Sequence, residues 1–134
     1  MATPATLPLA ASLQDELALA LKKKQPLVVM VSLDGCPFCK VARENYLGPL
    51  HEQQDLPVVQ VDMRSTRKLK NFSGANLTHD EMRRAWNVKV GPTVLFFGRD
   101  GQEIVERMVG SYIPDFYGAY LDEHLRLARA ALKP

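Results

Sequence analysis

The apolar run Leu27-Val28-Val29-Met30-Val31 leads within a few residues to Gly35-Cys36-Pro37-Phe38-Cys39-Lys40, and no other stretch constrains the fold as tightly. The run does not alternate in polarity, as expected of a strand covered on both faces. Pro37 suits the first position of a helix, where its missing N–H costs nothing, so Cys36 falls at the helix cap and Cys39 one turn on. These are the only 2 cysteines of the 134 residues. Their spacing allows a bond across one helical turn, and free N–H groups at a helix start favour a thiolate. The pattern points to a pair that opens and closes: Cys36 attacks a disulfide, and the more shielded Cys39 resolves the mixed disulfide.

Other uses of two cysteines fit less well. An inert pair is the bland reading. A zinc site needs about four ligands, yet there is no second cysteine pair, and His51, His79 and His124 are scattered. Haem attachment needs histidine directly after the second cysteine, where Lys40 stands. A soft-metal carrier holding Cu(I) on the thiols is a rival of a different class; Met30, Met63, Met82 and Met108 are spread along the chain without forming a cluster.

Length and composition suit one soluble globular domain with its own hydrophobic core. The 17 basic and 15 acidic side chains are interspersed and leave a formal charge of +2. That balance gives no reason to expect nucleic acid or a membrane surface as partner, and no apolar run approaches a membrane span. Residues 1–11, rich in Ala, Thr and Pro, read as a flexible lead without the basic start and long apolar stretch of a signal peptide. They fit a cytoplasmic protein, or a mature exported domain whose leader has been replaced by Met1.

The domain spans 12–134. Ser12 caps a first helix, with Asp15 and Glu16 in its first turn and Lys22-Lys23-Lys24 at its end, both suited to the helix dipole. Strand 27–32 follows, then a helix from Pro37 to Leu47 ended by Gly48-Pro49, then a buried strand at 58–61. Residues 63–77 are polar and basic, and read as an inserted loop or small hairpin. Thr78 and Glu81 form a capping box that starts a helix reaching about Trp86. Thr93–Phe97 is a strand, Gly98–Gly101 a turn, and Glu103–Val109 the returning antiparallel strand. A last helix runs from near Pro114 to Leu132, with Tyr117, Tyr120, Leu121, His124, Leu125, Ala128 and Leu132 on its apolar face.

Val90-Gly91-Pro92-Thr93 precedes the third strand. Together with the cysteine pair and the element order over residues 12–132, this resembles the thioredoxin superfamily. The resemblance implies an α/β thioredoxin-like fold: a central mixed β-sheet flanked by helices, with an N-terminal helix and an insertion before the cis-proline strand. It implies that Pro92 is cis and faces Cys36 and Cys39, with Gly91 offering its backbone to a substrate strand. Pro37 and Phe38, between the cysteines, complete the expected substrate-binding set, with Phe38 at the rim.

Within that superfamily, Asp34–Cys39, Asn71-Phe72-Ser73-Gly74 and Pro114–Leu121 resemble the exported thioredoxin-related proteins of bacterial sulfur-oxidation (Sox) systems. This implies a monomeric periplasmic reductase of protein or small-molecule disulfides, recharged by a membrane thiol relay. It needs no cofactor beyond the cysteine pair. A disulfide oxidase or isomerase using the same pair is the nearest alternative. Three departures stand out: Gly35 where thioredoxins carry Trp, Met30 where they carry a buried carboxylate, and Gly91 where a larger residue is common. A Cys-Pro-aromatic-Cys pair without an intervening histidine suggests a potential of roughly −180 to −270 mV.

Overall fold

Ser12 fixes where the chain turns helical, because its hydroxyl accepts the Asp15 N–H at 3.1 Å. The computed structural model describes residues 6–110 and 116–133. Helix α1 (Leu13–Lys22) is followed by β1 (Leu27–Ser32), α2 (Pro37–Val41), a π-helical turn (Ala42–Leu47) and α3 (Gly48–Gln54). Strand β2 (Val58–Asp62), the hairpin β3 (Lys68–Lys70) and β4 (Asn76–Thr78), and α4 (His79–Ala85) come next. The chain ends with β5 (Thr93–Phe97), β6 (Met108–Val109) and α5 (Tyr117–Leu132).

The main sheet has the order β2-β1-β5-β6. Strands β1 and β2 run parallel, whereas β5 is antiparallel to both β1 and β6, so the sheet is mixed. All six β1 residues are buried, as its unbroken apolar sequence requires. Val28 and Met30 pack with Cys39, Leu47 and Leu121 on one face, while Val29 and Val31 pack with Leu13, Leu17 and Met82 on the other. The fold is thioredoxin-like α/β, a mixed sheet between helical layers. No helix among the described residues is long and apolar enough to cross a membrane.

Four expectations need correction. Residues 6–11 are part of the fold: Leu7 and Ala10 are buried. Ala10 N–H donates to Gln60 O and Gln60 N–H to Pro8 O, both at 2.8 Å, so the lead lies along the open edge of β2. An unpaired sheet edge and two apolar side chains supply what the Ala/Pro-rich composition hides. Gly48-Pro49 does not end the helix, which runs on to Gln54. The wider π turn before it places Pro49 in the first turn of α3, where a missing N–H is tolerated.

The returning strand is shorter than the expected 103–109. Glu103 makes one bridge to Phe97, and the ladder resumes only at Met108. Between them the chain leaves the sheet, with Arg107 reaching back to both Glu103 carboxylate oxygens and to Trp86 O. In α5, Tyr120 is exposed although its spacing fits the apolar face; Tyr117, Leu121, Leu125, Ala128 and Leu132 are buried as read. The expected start of this helix at Pro114 lies outside the described residues.

Other local readings match the structure. Residues 63–77 contain a hairpin strand and its turn, where the Asn71 carboxamide oxygen accepts from Ser73 and Ala75 N–H. The capping box is complete, with Glu81 N–H donating to Thr78 Oγ1 at 3.0 Å and Thr78 N–H to Glu81 Oε1 at 2.8 Å. His124 stacks on Phe96, a packed histidine.

Candidate active site

Parallel β1 and β2 end together, with Ser32 opposite Asp62 in register. Their C-terminal ends leave an opening of the kind where open α/β sheets bind ligands. The loop after β1 closes tightly, Cys36 N–H donating to Leu33 O at 3.1 Å. Gly35 adopts φ +78°, which favours glycine and disfavours the tryptophan of thioredoxins.

Cys36 then caps α2, and its Sγ accepts the Cys39 N–H at 3.1 Å. Once the pair is reduced, that hydrogen bond favours negative charge on this sulfur. The two Cα atoms stand 5.2 Å apart and the sulfurs are bonded to each other. Cys36 is half-buried, whereas Cys39 is only 1% exposed. Phe38, between them, is 57% exposed, and Pro37 is exposed beside it.

The segment before β5 completes the site. The Gly91–Pro92 peptide bond is cis, and Gly91 O lies 3.7 Å from Cys36 Sγ. A Cβ built on Gly91 would meet Cys39 Sγ at 3.1 Å and Leu33 Cβ at 3.6 Å. The missing side chain therefore leaves space for the inner sulfur more than for an incoming chain. Met30, at the position of the thioredoxin carboxylate, is fully buried in the same apolar cluster as Cys39.

All six residues singled out from sequence thus meet at one end of the sheet. Sequence reading missed the cleft beside them, of about 490 Å³, lined by Asp34, Lys40, Arg43, Gln60 and Asp62 together with Cys36. Lys40 and Arg43 follow Cys36 at spacings of four and seven, a helical stripe that the sequence already carried. Gln60 and Asp62 needed the strand pairing to be known. The Gln60 carboxamide is held on both sides: its oxygen accepts from Ser32 Oγ at 3.2 Å and Arg43 Nη1 at 3.0 Å, and its Nε2 donates to Leu7 O at 2.9 Å. Burial and the nearby Asp34 charge push the Asp62 carboxyl above the usual carboxylate range, against the opposing pull of His79.

No group of three or more His, Cys, Asp or Glu able to hold a metal occurs among the described residues. Among the described residues the methionines divide between the faces of the sheet, Met30 and Met108 on one and Met63 and Met82 on the other.

A mixed sheet with a bonded cysteine pair at the start of a helix, facing a cis-proline turn, defines a protein of dithiol–disulfide chemistry. The model of the thioredoxin-like domain family matches residues 13–125, and the chain belongs to that family. Among solved structures it is similar to a mutant thioredoxin from Halobacterium salinarum, with 23% identity, TM-score 0.55, and 93% of this chain and 96% of that one covered. It is also similar to a thioredoxin of Fasciola hepatica, with 19% identity, TM-score 0.58, and coverage of 90% and 97%. A structure named Trxlp from Edwardsiella tarda shows 27% identity, TM-score 0.53, and coverage of 87% and 97%. No curated protein matches the sequence. The thioredoxin fold with its paired cysteines supports thiol–disulfide oxidoreductase activity in general.

Proposed function

We propose that the protein is a reductase of protein or small-molecule disulfides, with Cys36 the attacking sulfur and Cys39 the resolving one. The observation that carries this is the asymmetry of the pair. Cys36 is reachable and accepts an N–H at 3.1 Å, while Cys39 is buried directly behind it. An accessible, hydrogen-bonded sulfur is the better nucleophile as thiolate. A shielded neighbour one turn away is positioned to displace what it binds. Pro37, Phe38, Gly91 and Pro92 surround the attacked bond, Phe38 as an exposed apolar contact and Gly91 through its carbonyl. The cysteine pair holds the two electrons, so the reaction calls for no bound cofactor.

The reducing direction, monomeric state, periplasmic location and membrane thiol-relay donor rest on the resemblance of Asp34–Cys39, Asn71–Gly74 and Pro114–Leu121 to the exported Sox-type proteins. The last of these segments lies partly outside the described residues. A side-by-side assay decides the direction: the reduced protein should reduce insulin disulfides faster than the oxidised protein oxidises an unfolded dithiol substrate. The reverse ranking makes it an oxidase. Cys39→Ser should accumulate mixed disulfides at Cys36, and Cys36→Ser should trap none; the opposite pattern exchanges the two roles. A donor from a membrane thiol relay among the trapped partners supports the export reading, and only cytoplasmic partners would overturn it.

A further inference from the structure

Cys36 is open on a second side, away from Gly91 and Pro92, where it borders the cleft at the ends of β1 and β2. We propose that this cleft is a subsite for a small amphoteric disulfide, one whose halves each carry a carboxylate and an ammonium group, as amino-acid disulfides do. The proposal rests on the reading of Cys36 as the attacking sulfur, and adds a substrate class to it.

Size and charge both argue for it. A volume of about 490 Å³ falls in the ordinary range of small-molecule sites, roughly 300–1,000 Å³. On the helix side stand Lys40 and Arg43; on the loop and strand side stand Asp34 and Asp62. Among the described residues none of these four side chains is in an ion pair. Arg43 gives one N–H to Gln60 and keeps its other donors for a ligand. A ligand of one sign would face repulsion from one wall, whereas an amphoteric ligand matches both. Burial, and after it the Asp34 charge, raises the Asp62 carboxyl, and a bound ammonium group would offset the repulsion between the two anions.

The cleft is also held in shape before any ligand arrives. Gln60 is fixed by Ser32, Arg43 and Leu7, and the Asp62 backbone by a 3.0 Å hydrogen bond to His79 Nδ1. Leu9, Leu33 and Pro37 supply apolar lining for the methylene groups next to the sulfurs. Lys40 lies one turn beyond Cys36 and Arg43 the next turn, so a carboxylate bound there lies in line with the attacking sulfur.

The reaction balances within the pair. The Cys36 thiolate attacks one ligand sulfur, forming a Cys36–ligand disulfide and expelling the first half as a thiolate, which takes up a proton. Cys39 loses its proton and attacks Cys36 Sγ, closing the Cys36–Cys39 bond and releasing the second half, which is also protonated. The ligand gains two electrons and leaves as two thiols; the cysteine pair loses two. A dithiol donor must then reduce the pair again.

The test is a single turnover of the fully reduced protein with cystine, neutral 2-hydroxyethyl disulfide, anionic dithiodipropionate, cationic cystamine and insulin. Each small-molecule rate is divided by that disulfide's rate with free dithiothreitol. Cystine should exceed the neutral disulfide by about ten-fold or more, ten-fold corresponding to about 1.4 kcal/mol. Lys40→Gln with Arg43→Gln, and separately Asp34→Asn with Asp62→Asn, should each bring that ratio back toward one. Because the ratio is read within each variant, loss of folded protein cancels. Equal rates for cystine and the neutral disulfide overturn the proposal, as does a preference for dithiodipropionate or cystamine over cystine. An effect of the charge variants on insulin alone also overturns it, in favour of a peptide ligand. If the reduced protein reacts with none of the five, the reductase reading itself fails; if it reduces insulin and the neutral disulfide without preferring cystine, only the subsite fails.

Discussion

The α-carbon of Gly91 faces Cys39 so closely that a methyl group there would stand 3.1 Å from its sulfur. Such a contact is tighter than packed side chains normally accept, and Cys39 is buried with little room to move. Gly91→Ala should therefore force the Cys39 side chain away from its best rotamer, at a cost of about 0.5–1.5 kcal/mol. The step that suffers is resolution, in which Cys39 must line up on Cys36. Quenched-flow analysis should show mixed-disulfide formation little changed and resolution slowed by several-fold to about ten-fold, since about 1.36 kcal/mol is one decade in rate. An unchanged resolution rate would show that the sulfur has slack not visible in the packing.

A lead docked on β2 carries weight. Leu7 and Ala10 are buried, and Ala10, Pro8 and Ala11 exchange backbone hydrogen bonds with Gln60 and Lys70. Removing residues 1–11 exposes apolar surface and strips a sheet edge. The loss of Leu7 burial alone is worth about 1.5–3 kcal/mol. Urea unfolding of the truncated chain should give a stability lower by about 3 kcal/mol, once lost hydrogen bonds of about 1 kcal/mol are added. A midpoint identical to that of the full chain would mean that the lead is the loose segment its composition suggests.

Residues whose partners lie within one turn were legible in the sequence; residues whose partners lie across the fold were not. Ser12, Thr78 with Glu81, and Cys36 before Pro37 announce helix starts because a cap is satisfied three residues away. The unbroken apolar run 27–31 announced a strand buried on both faces. By contrast, Leu7 docks through Gln60, 53 positions later, and no local pattern carries that pairing. Gly48-Pro49 reads as a stop signal, yet the preceding π turn absorbs it. The cleft was hidden for the same reason: its walls come from Asp34, Lys40 and Arg43 on one stretch and from Gln60 and Asp62 on another. Only the parallel pairing of β1 with β2 brings the two together.

The residues between the cysteines set a redox expectation that needs only a titration. Pro37 and Phe38 carry no charge, so no intervening cation stabilises the Cys36 thiolate as an added imidazolium would. Equilibration with glutathione or dithiothreitol buffers should return a potential of roughly −180 to −270 mV. Phe38→His should raise it, making the pair more oxidising, because the cation favours the reduced thiolate form. A wild-type value near about −120 mV would contradict the expected reducing role.

His79 ties the site to pH. The ring is fully buried; its Nδ1 accepts the Asp62 N–H at 3.0 Å, and so its proton resides on Nε2, which donates to Ala10 O at 2.9 Å. Burial holds its pKa below the ordinary 6.5, with Arg67 acting the same way, while Ala10 O and the Asp62 charge pull upward without prevailing. The unfolded ring therefore takes up a proton at a higher pH than the folded one. This group's contribution to stability is complete above about 6.5 and declines as pH falls from there toward the lowered folded value. Asp62 acts in the opposite sense, since its raised folded pKa makes its charge costly at neutral pH and relieves that cost in acid. His79→Leu separates the two. It should lower stability near pH 7.5 by about 1–3 kcal/mol, because Asp62 N–H loses its acceptor. It should also flatten the fall in stability between about pH 7.5 and 5.5 seen by urea unfolding of the parent. A parent whose stability stays level or rises on acidification over that range, with the same slope in the variant, would mean that His79 does not govern the coupling between the lead and the end of β2.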